Sequence, residues 1–162
     1  AGARRVPVTI VAVGRMSEPL ASAAREYEKR LSRYDKLAVI EVPDQREPAN
    51  LSEALMAQAM QREGQQILRH IRPGDHVIAL CIDGEAVGTE AFAQRFRRLR
   101  DGGSPIVFVI GGSLGLSPEV LSRADSDMSL SALTMPHQLA RVVLLEQIYR
   151  VHKILSGERY HK

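Results

Sequence analysis

The run "IVFVI", Ile106–Ile110, carries no polar side chain at any position. Successive side chains of a strand point to opposite faces, so such a run needs cover on both sides. Three further runs share this character: "VPVTIVAVG" from Val6, "LAVIEV" from Leu37 and "HVIALCI" from His76. Segments of helical periodicity separate them. Strands alternating with helices, several of the strands continuously apolar, define an α/β fold: a mostly parallel sheet flanked by helices.

The segments between the strands follow helix and turn chemistry. Ser17, with Pro19 in the first turn, opens a helix expected to reach about Tyr34, with Leu20, Ala24, Tyr27 and Leu31 at helical spacing. Asn50 and Glu53 resemble a capping box for a second helix ending near Ile71, with Met56, Met60, Ile67 and Ile71 on its stripe. Thr89 reads as the cap of a third, through about Arg100. Ser117-Pro118 starts a short helix, "DMSLSAL" from Asp127 is a weaker fifth strand, and Met135-Pro136 introduces a long helix to about Leu155. One domain accounts for all 162 residues. The first five, "AGARR", read as an N-terminal extension expected to be disordered.

In parallel sheets ligands sit beyond the carboxyl ends of the strands. That singles out "CIDG", "GGSLG" and "LSALTMPH". The loop in "IVFVIGGSLGLS" has no lysine followed by Ser or Thr after its second glycine, so it is not a Walker loop. Gly111, Gly112 and Gly115 do not fit the G-x-G-x-x-G dinucleotide spacing either, and the first strand ends on a single glycine. The loop permits a site without naming one; structural glycines in a tight turn are the plainer reading. "LSALTM" carries no charge and offers backbone groups, two hydroxyls and apolar side chains. Such a loop suits a mostly apolar ligand held by main-chain hydrogen bonds, and not a triphosphate.

The last helix is apolar almost all round: Leu139, Val142, Val143, Leu144, Leu145, Ile148, Tyr149 and Val151 are interrupted by Arg141, Glu146, Arg150 and Lys153. A helix of that kind is buried on more than one side, and a homodimer through this C-terminal helix is the expected second partner. The formal charge of +3 is compatible with a polyanion, but the chain has no tryptophan and three phenylalanines, which disfavours an aromatic base-stacking platform. "RFRRLR", Arg95 to Arg100, places Phe96 and Leu99 inward and its arginines outward, as a solvated face or a phosphate contact. Cys81, the single cysteine, reads as a small core residue; with His70 and His76 it has no zinc-ligand spacing, so no metal is expected. No run is of membrane-spanning length and no signal peptide is evident, so the expected location is cytoplasmic, with no membrane partner.

The succession "IGGSLGL", "SLSALTMPHQLARVVLLEQIYR" and terminal "YHK" resembles the SPOUT superfamily of trefoil-knotted methyltransferases. Within it the chain is similar to the RlmH family of 23S rRNA pseudouridine N3-methyltransferases, through "VTIVAVG", "EYEKRL", "EVPD" and "EGQQIL" as well. The resemblance implies a C-terminal trefoil knot, a homodimer, and S-adenosyl-L-methionine (SAM) as methyl donor. It implies cofactor contacts at Leu80, Gly111, Leu130, Ser131, Ala132, Leu133, Thr134 and Met135. It also implies that "YHK" folds over the pocket, with Tyr160 and His161 toward the target nucleotide and Lys162 toward phosphate. His137, otherwise a local helix-start residue, becomes a substrate contact beside "LSALTM"; Arg141, otherwise an ion-paired helix residue, becomes a catalytic-site or RNA contact. The implied partner is 23S rRNA within a large ribosomal subunit or ribosome. A knotted methyltransferase acting on another RNA base, and a non-catalytic ribosome-binding dimer, are the alternatives. Where the family usually has an acid after Leu80, this chain has Cys81.

Overall fold

The computed structural model describes residues 6–45 and 52–160. Its elements run β1 (Pro7–Val13), α1 (Leu20–Leu31), β2 (Lys36–Val42), α2 (Glu53–Leu68), β3 (His76–Leu80), α3 (Thr89–Asp101), β4 (Ile106–Ile110), α4 (Pro118–Arg123), β5 (Ser126–Met128) and α5 (His137–Leu155). The strands form one sheet in the order β2-β1-β4-β3-β5, with every neighbouring pair parallel.

Strand alternation sorts the core into two layers. Val8, Ile10, Ile106, Phe108 and Ile110 point to the face covered by α1, α3 and α5, where Leu31, Phe92, Phe96, Leu144, Leu145 and Ile148 meet them. Val11, Val13, Val77, Val107 and Val109 point to the other face, onto Ile67 of α2 and Val120 of α4. All five residues of β4 are buried, as its composition requires. The thicker layer takes the large aromatic and branched side chains. The valine layer is thinner, and its helices come close: a Cβ on Gly64 of α2 would lie 2.2 Å from the Ser117 hydroxyl oxygen at the start of α4.

Several boundaries differ from the expectations. Helix α1 starts after Pro19 with no side-chain cap. Ser17 instead turns to α5, its backbone N–H and its hydroxyl both donating to Gln138 Oε1, at 2.8 and 3.0 Å. Ser52 caps α2, accepting from the Leu55 N–H; Asn50 lies outside the described residues. Thr89 is the first residue of α3, after Gly88 at the cap position, and its hydroxyl donates to Gln147 Oε1 of α5 at 2.8 Å. Strand β5 ends at Met128; the Ser129 N–H still donates to the Glu85 carbonyl at 2.9 Å, and beyond it the chain bonds to itself. The Ser129 hydroxyl donates to the Ser131 carbonyl at 2.9 Å, and the Leu133 N–H donates to Ser131 Oγ at 3.0 Å. Such local side-chain bonds compete with a strand ladder.

Helix α5 answers its own composition largely within the chain. Leu144, Leu145, Ile148 and Val151 are fully buried, and α1, α3 and β4 all pack against it. No helix among the described residues is long and apolar enough to cross a membrane.

Gly64→Ala should lower stability by about 1–3 kcal/mol through overpacking at the α2–α4 contact. Denaturant titration measures it. Adding Ser117→Gly removes the hydroxyl that collides, so the double variant should lose less than the two single losses combined.

Candidate functional site

Three connections leave the carboxyl edge of the sheet side by side: residues 81–88 after β3, 111–117 after β4 and 129–136 after β5. With the first turn of α5 they enclose a cavity of about 430 Å³. Its floor is Leu80 and Ile110, the last residues of β3 and β4. Gly111, Gly112 and Gly115 form one wall, Ser129 to Ser131 with Leu133 to Met135 the opposite one, and His137 and Ala140 close an end. Among the described residues no carboxylate, lysine or arginine lines it. The size suits a nucleoside-scale ligand, and the lining suits one held by main-chain groups and hydroxyls.

The structure therefore brings together Leu80, Gly111, Leu130, Ser131, Leu133, Thr134, Met135 and His137. Ala132 is exposed and is not part of the wall. Cys81, Ile82, Gly112 and Ser129 belong to the wall although sequence reasoning assigned them no contact. Only their place at strand ends could have flagged them. Ile82 and Leu133, 56% and 77% exposed, are large apolar side chains left at the rim.

The glycines serve close approach. A Cβ on Gly112 would lie 2.9 Å from Val13 Cγ1 and 3.3 Å from Asp44 Oδ1, so the loop sits directly on the β1 and β2 ends. One on Gly111 would lie 3.1 Å from both the Gly115 carbonyl carbon and Leu116 Cδ2. The turn closes through the Gly115 N–H donating to the Gly112 carbonyl at 3.1 Å, with Gly115 at φ +81°. That conformation favours glycine.

Cys81 is half-buried, and burial pushes its thiol above the ordinary range, with Asp127 and Asp83 adding to the effect. A thiol in that state is neutral at physiological pH, a compact wall group in place of an acid.

Arg141 lies one turn beyond His137 but faces away from the cavity lining. It is 2% exposed, bonds Glu41 Oε2 at 2.6 Å through Nη1, and donates through Nη2 to the Gly14 carbonyl at 3.1 Å. Gly14 in turn backs His137: a Cβ there would be 3.1 Å from His137 Nε2. Burial pushes the nearby Glu28 carboxyl up, and the Arg141 charge opposes that rise. Arg141 thus holds the end of β1 under the histidine, a different task from the expected RNA or catalytic contact.

Tyr160 is not brought to the cavity either. Its ring packs edge-on against Tyr149 with centroids 5.1 Å apart, under the Arg150 guanidinium at 4.7 Å. Tyr149 is roughly 18 Å along α5 from His137 at the helical rise. His161 and Lys162 lie outside the described residues. In α3, Arg95 pairs with Glu85 at 2.5 Å, and Arg97 and Arg100 with Asp101, both at 3.6 Å; Arg98 has no ion pair among the described residues. Among the described residues no group of three or more His, Cys, Asp or Glu is placed to hold a metal ion.

A parallel α/β domain with a cavity at the carboxyl edge, walled by three strand-end loops and, among the described residues, lined by no carboxylate, lysine or arginine, defines a small-ligand-binding domain. The family described as predicted SPOUT methyltransferase matches residues 6–161, and the chain belongs to it. Solved structures share the fold. A probable rRNA-methyltransferase from Porphyromonas gingivalis is 13% identical with a TM-score of 0.55, over 94% of this chain and 70% of that one. A probable methyltransferase from Bordetella pertussis Tohama I is 15% identical with a TM-score of 0.53, over 90% of this chain and 96% of that one. The protein is a methyltransferase of the SPOUT class.

Arg141→Ala should cost about 1.5–3 kcal/mol, the worth of charge-assisted hydrogen bonds. Glu41 is 40% exposed and can rehydrate, so the larger penalty of a stranded buried charge does not arise. Leu133→Ser, on the rim, should change stability by less than about 0.5 kcal/mol. Thermal and denaturant melts of both variants check this.

Proposed function

We propose that the protein transfers a methyl group from SAM to N3 of a pseudouridine in large-subunit rRNA, acting on an assembled subunit or ribosome. The observation that carries the reading is the cavity itself: uncharged, about 430 Å³, and lined by most of the residues that the family resemblance assigned to the cofactor. The cavity fits SAM by its donor set. Backbone groups of 111–115 and 129–135 and the hydroxyls of Ser129, Ser131 and Thr134 are available to an adenosine and an amino acid moiety, with Leu80, Leu130 and Met135 for the apolar surfaces. Bound there, SAM supplies an electrophilic methyl group on a sulfonium.

The chain's share of the chemistry is alignment and proton handling. An in-line displacement gains most from holding nucleophile and methyl in register. The N3 proton must leave as the new N–C bond forms, and a positioned base accelerates that step. His137, in the cavity wall, and His161, in the tail, are the two imidazoles assigned to the nucleotide.

A dimer through α5 is part of the same reading. Leu139 remains 38% exposed on α5, and Val142 and Val143 are half-buried. Tyr160 stands at the opposite end of α5 from the cavity. A two-fold axis across the helix would set the tail of one copy beside the cavity of the other, the isologous arrangement of a C2 dimer. In this reading the C-terminal segment forms a trefoil knot, the last strand-loop-helix passing through an earlier loop. The folded ribosome supplies recognition that so small a chain lacks.

Incubation with labelled SAM and ribosomes lacking the modification should place one methyl on a pseudouridine N3, mapped by mass spectrometry. Methyl on another base would refute the substrate assignment. Gly111→Arg should abolish SAM binding in calorimetry. Deleting residues 160–162 should spare SAM binding and abolish transfer; full transfer by that truncation would defeat the role given to the tail.

A further inference from the structure

Glu63 sits in the middle of α2, 1% exposed, on the valine face of the sheet. A buried carboxyl with no cation beside it among the described residues calls for an explanation. Its Oε2 accepts the Gln45 N–H at 2.9 Å. Its Oε1 is buried with no hydrogen-bond partner among the described residues within bonding range. Among the described residues, Asp44, next to Gln45, is the charged group that acts on it; the neighbouring Gly64 meets Ser117 and Val120 of the α4 start, which carry no charge. Burial first, and then Asp44, push the Glu63 carboxyl up to about 7, while the Gln45 N–H pulls the other way.

Asp44 is also the residue that touches the cavity wall from behind. Its Oδ1 lies 3.3 Å from the place a Cβ on Gly112 would take, beside Val13. The chain of contact thus runs from Glu63, through Asp44 and Gln45, to Gly112.

We propose that Glu63 is a positioning residue: in its protonated form it holds the Asp44–Gln45 segment against Gly112, and so fixes the glycine wall of the cavity. With the proton present, Glu63 can donate to Asp44 while accepting from Gln45. Without it, the buried Glu63 carboxylate faces the exposed Asp44 carboxylate and Asp44 moves off Gly112. The wall then loosens as pH rises through neutrality. The inference deepens the proposed function, because the same wall would receive SAM.

The sign follows from linkage. A carboxyl raised in the folded state binds a proton that the unfolded state has already released, so stability falls as pH rises from about the ordinary glutamate value through 7. One pH unit above the folded value leaves about a tenth of the molecules protonated.

The test uses the ligand-free protein first. Hydrogen exchange of the Gly112–Leu116 amides, corrected for the intrinsic rate, is measured at pH 6 and pH 8 in the parent, in Glu63→Gln and in Asp44→Asn. The Glu63→Gln amide keeps an acceptor for Gln45 and gains a permanent donor for Asp44. The Asp44→Asn change, on an exposed side chain, removes the repulsion without touching the core. The parent should lose about tenfold in protection at pH 8, and both variants should keep it. Calorimetry with SAM over the same range should show affinity falling about tenfold in the parent and staying level in Glu63→Gln. Equal pH dependence of exchange in parent and variants would overturn the role of Glu63. If SAM binds at neither pH, the cofactor reading falls, and the exchange comparison still decides the positioning role.

Discussion

The parallel ladder between β1 and β4 is the constraint on which the rest of the structure depends. Each of the two strands is covered on both faces, and their register, Val8 with Ile106 through Ala12 with Ile110, sets all five buried residues of β4 against β1. A one-residue slip would exchange the large and small layers. Phe108 would then face α2 and α4, whose contact leaves no room even for a methyl group on Gly64. The division into an aromatic and branched layer and a valine layer therefore fixes register, and register fixes where the strands end.

Where β3 and β4 end is where the cavity begins. Leu80 and Ile110 are partners in the same ladder, so the floor of the site is a by-product of core pairing. The connections above it go opposite ways: β3 leads to β4 on one side, and β4 leads past β3 to β5 on the other. The glycines let the 111–117 loop sit directly on the ends of β1 and β2 and close on itself, which explains a glycine-rich loop without any phosphate to bind.

The strands and the order of helices were legible in the sequence because apolar runs and helical spacing are local properties. Most of the cavity lining was legible too, once the strand ends were located and the "LSALTM" segment was seen to lack charge. What the sequence hid is long-range. Arg141 reads as a surface helix residue until its guanidinium is found on Gly14 and Glu41, the latter 100 residues away in the chain. Thr89 reads as a cap until its hydroxyl is found on Gln147. In each case a polar side chain had a local use by pattern and a distant partner in fact.

Those distant partners share a direction. Gln138 of α5 receives the Ser17 N–H and hydroxyl; Arg141 holds the Gly14 carbonyl and Glu41; His152, 4% exposed, bonds Asp35 Oδ2 at 2.5 Å and stacks on Tyr34 at 4.9 Å. All three tie the last helix to the segment from β1 to β2. Apolar packing against α1 and α3 could tolerate sliding along the helix axis, since hydrophobic contact is non-directional. Hydrogen bonds near both ends of α5 cannot. They fix α5 along its axis, and with it His137 at one end of the cavity and Tyr160 at the other end of the helix. The wall of the site that comes last in the chain is thus set by the residues that come first.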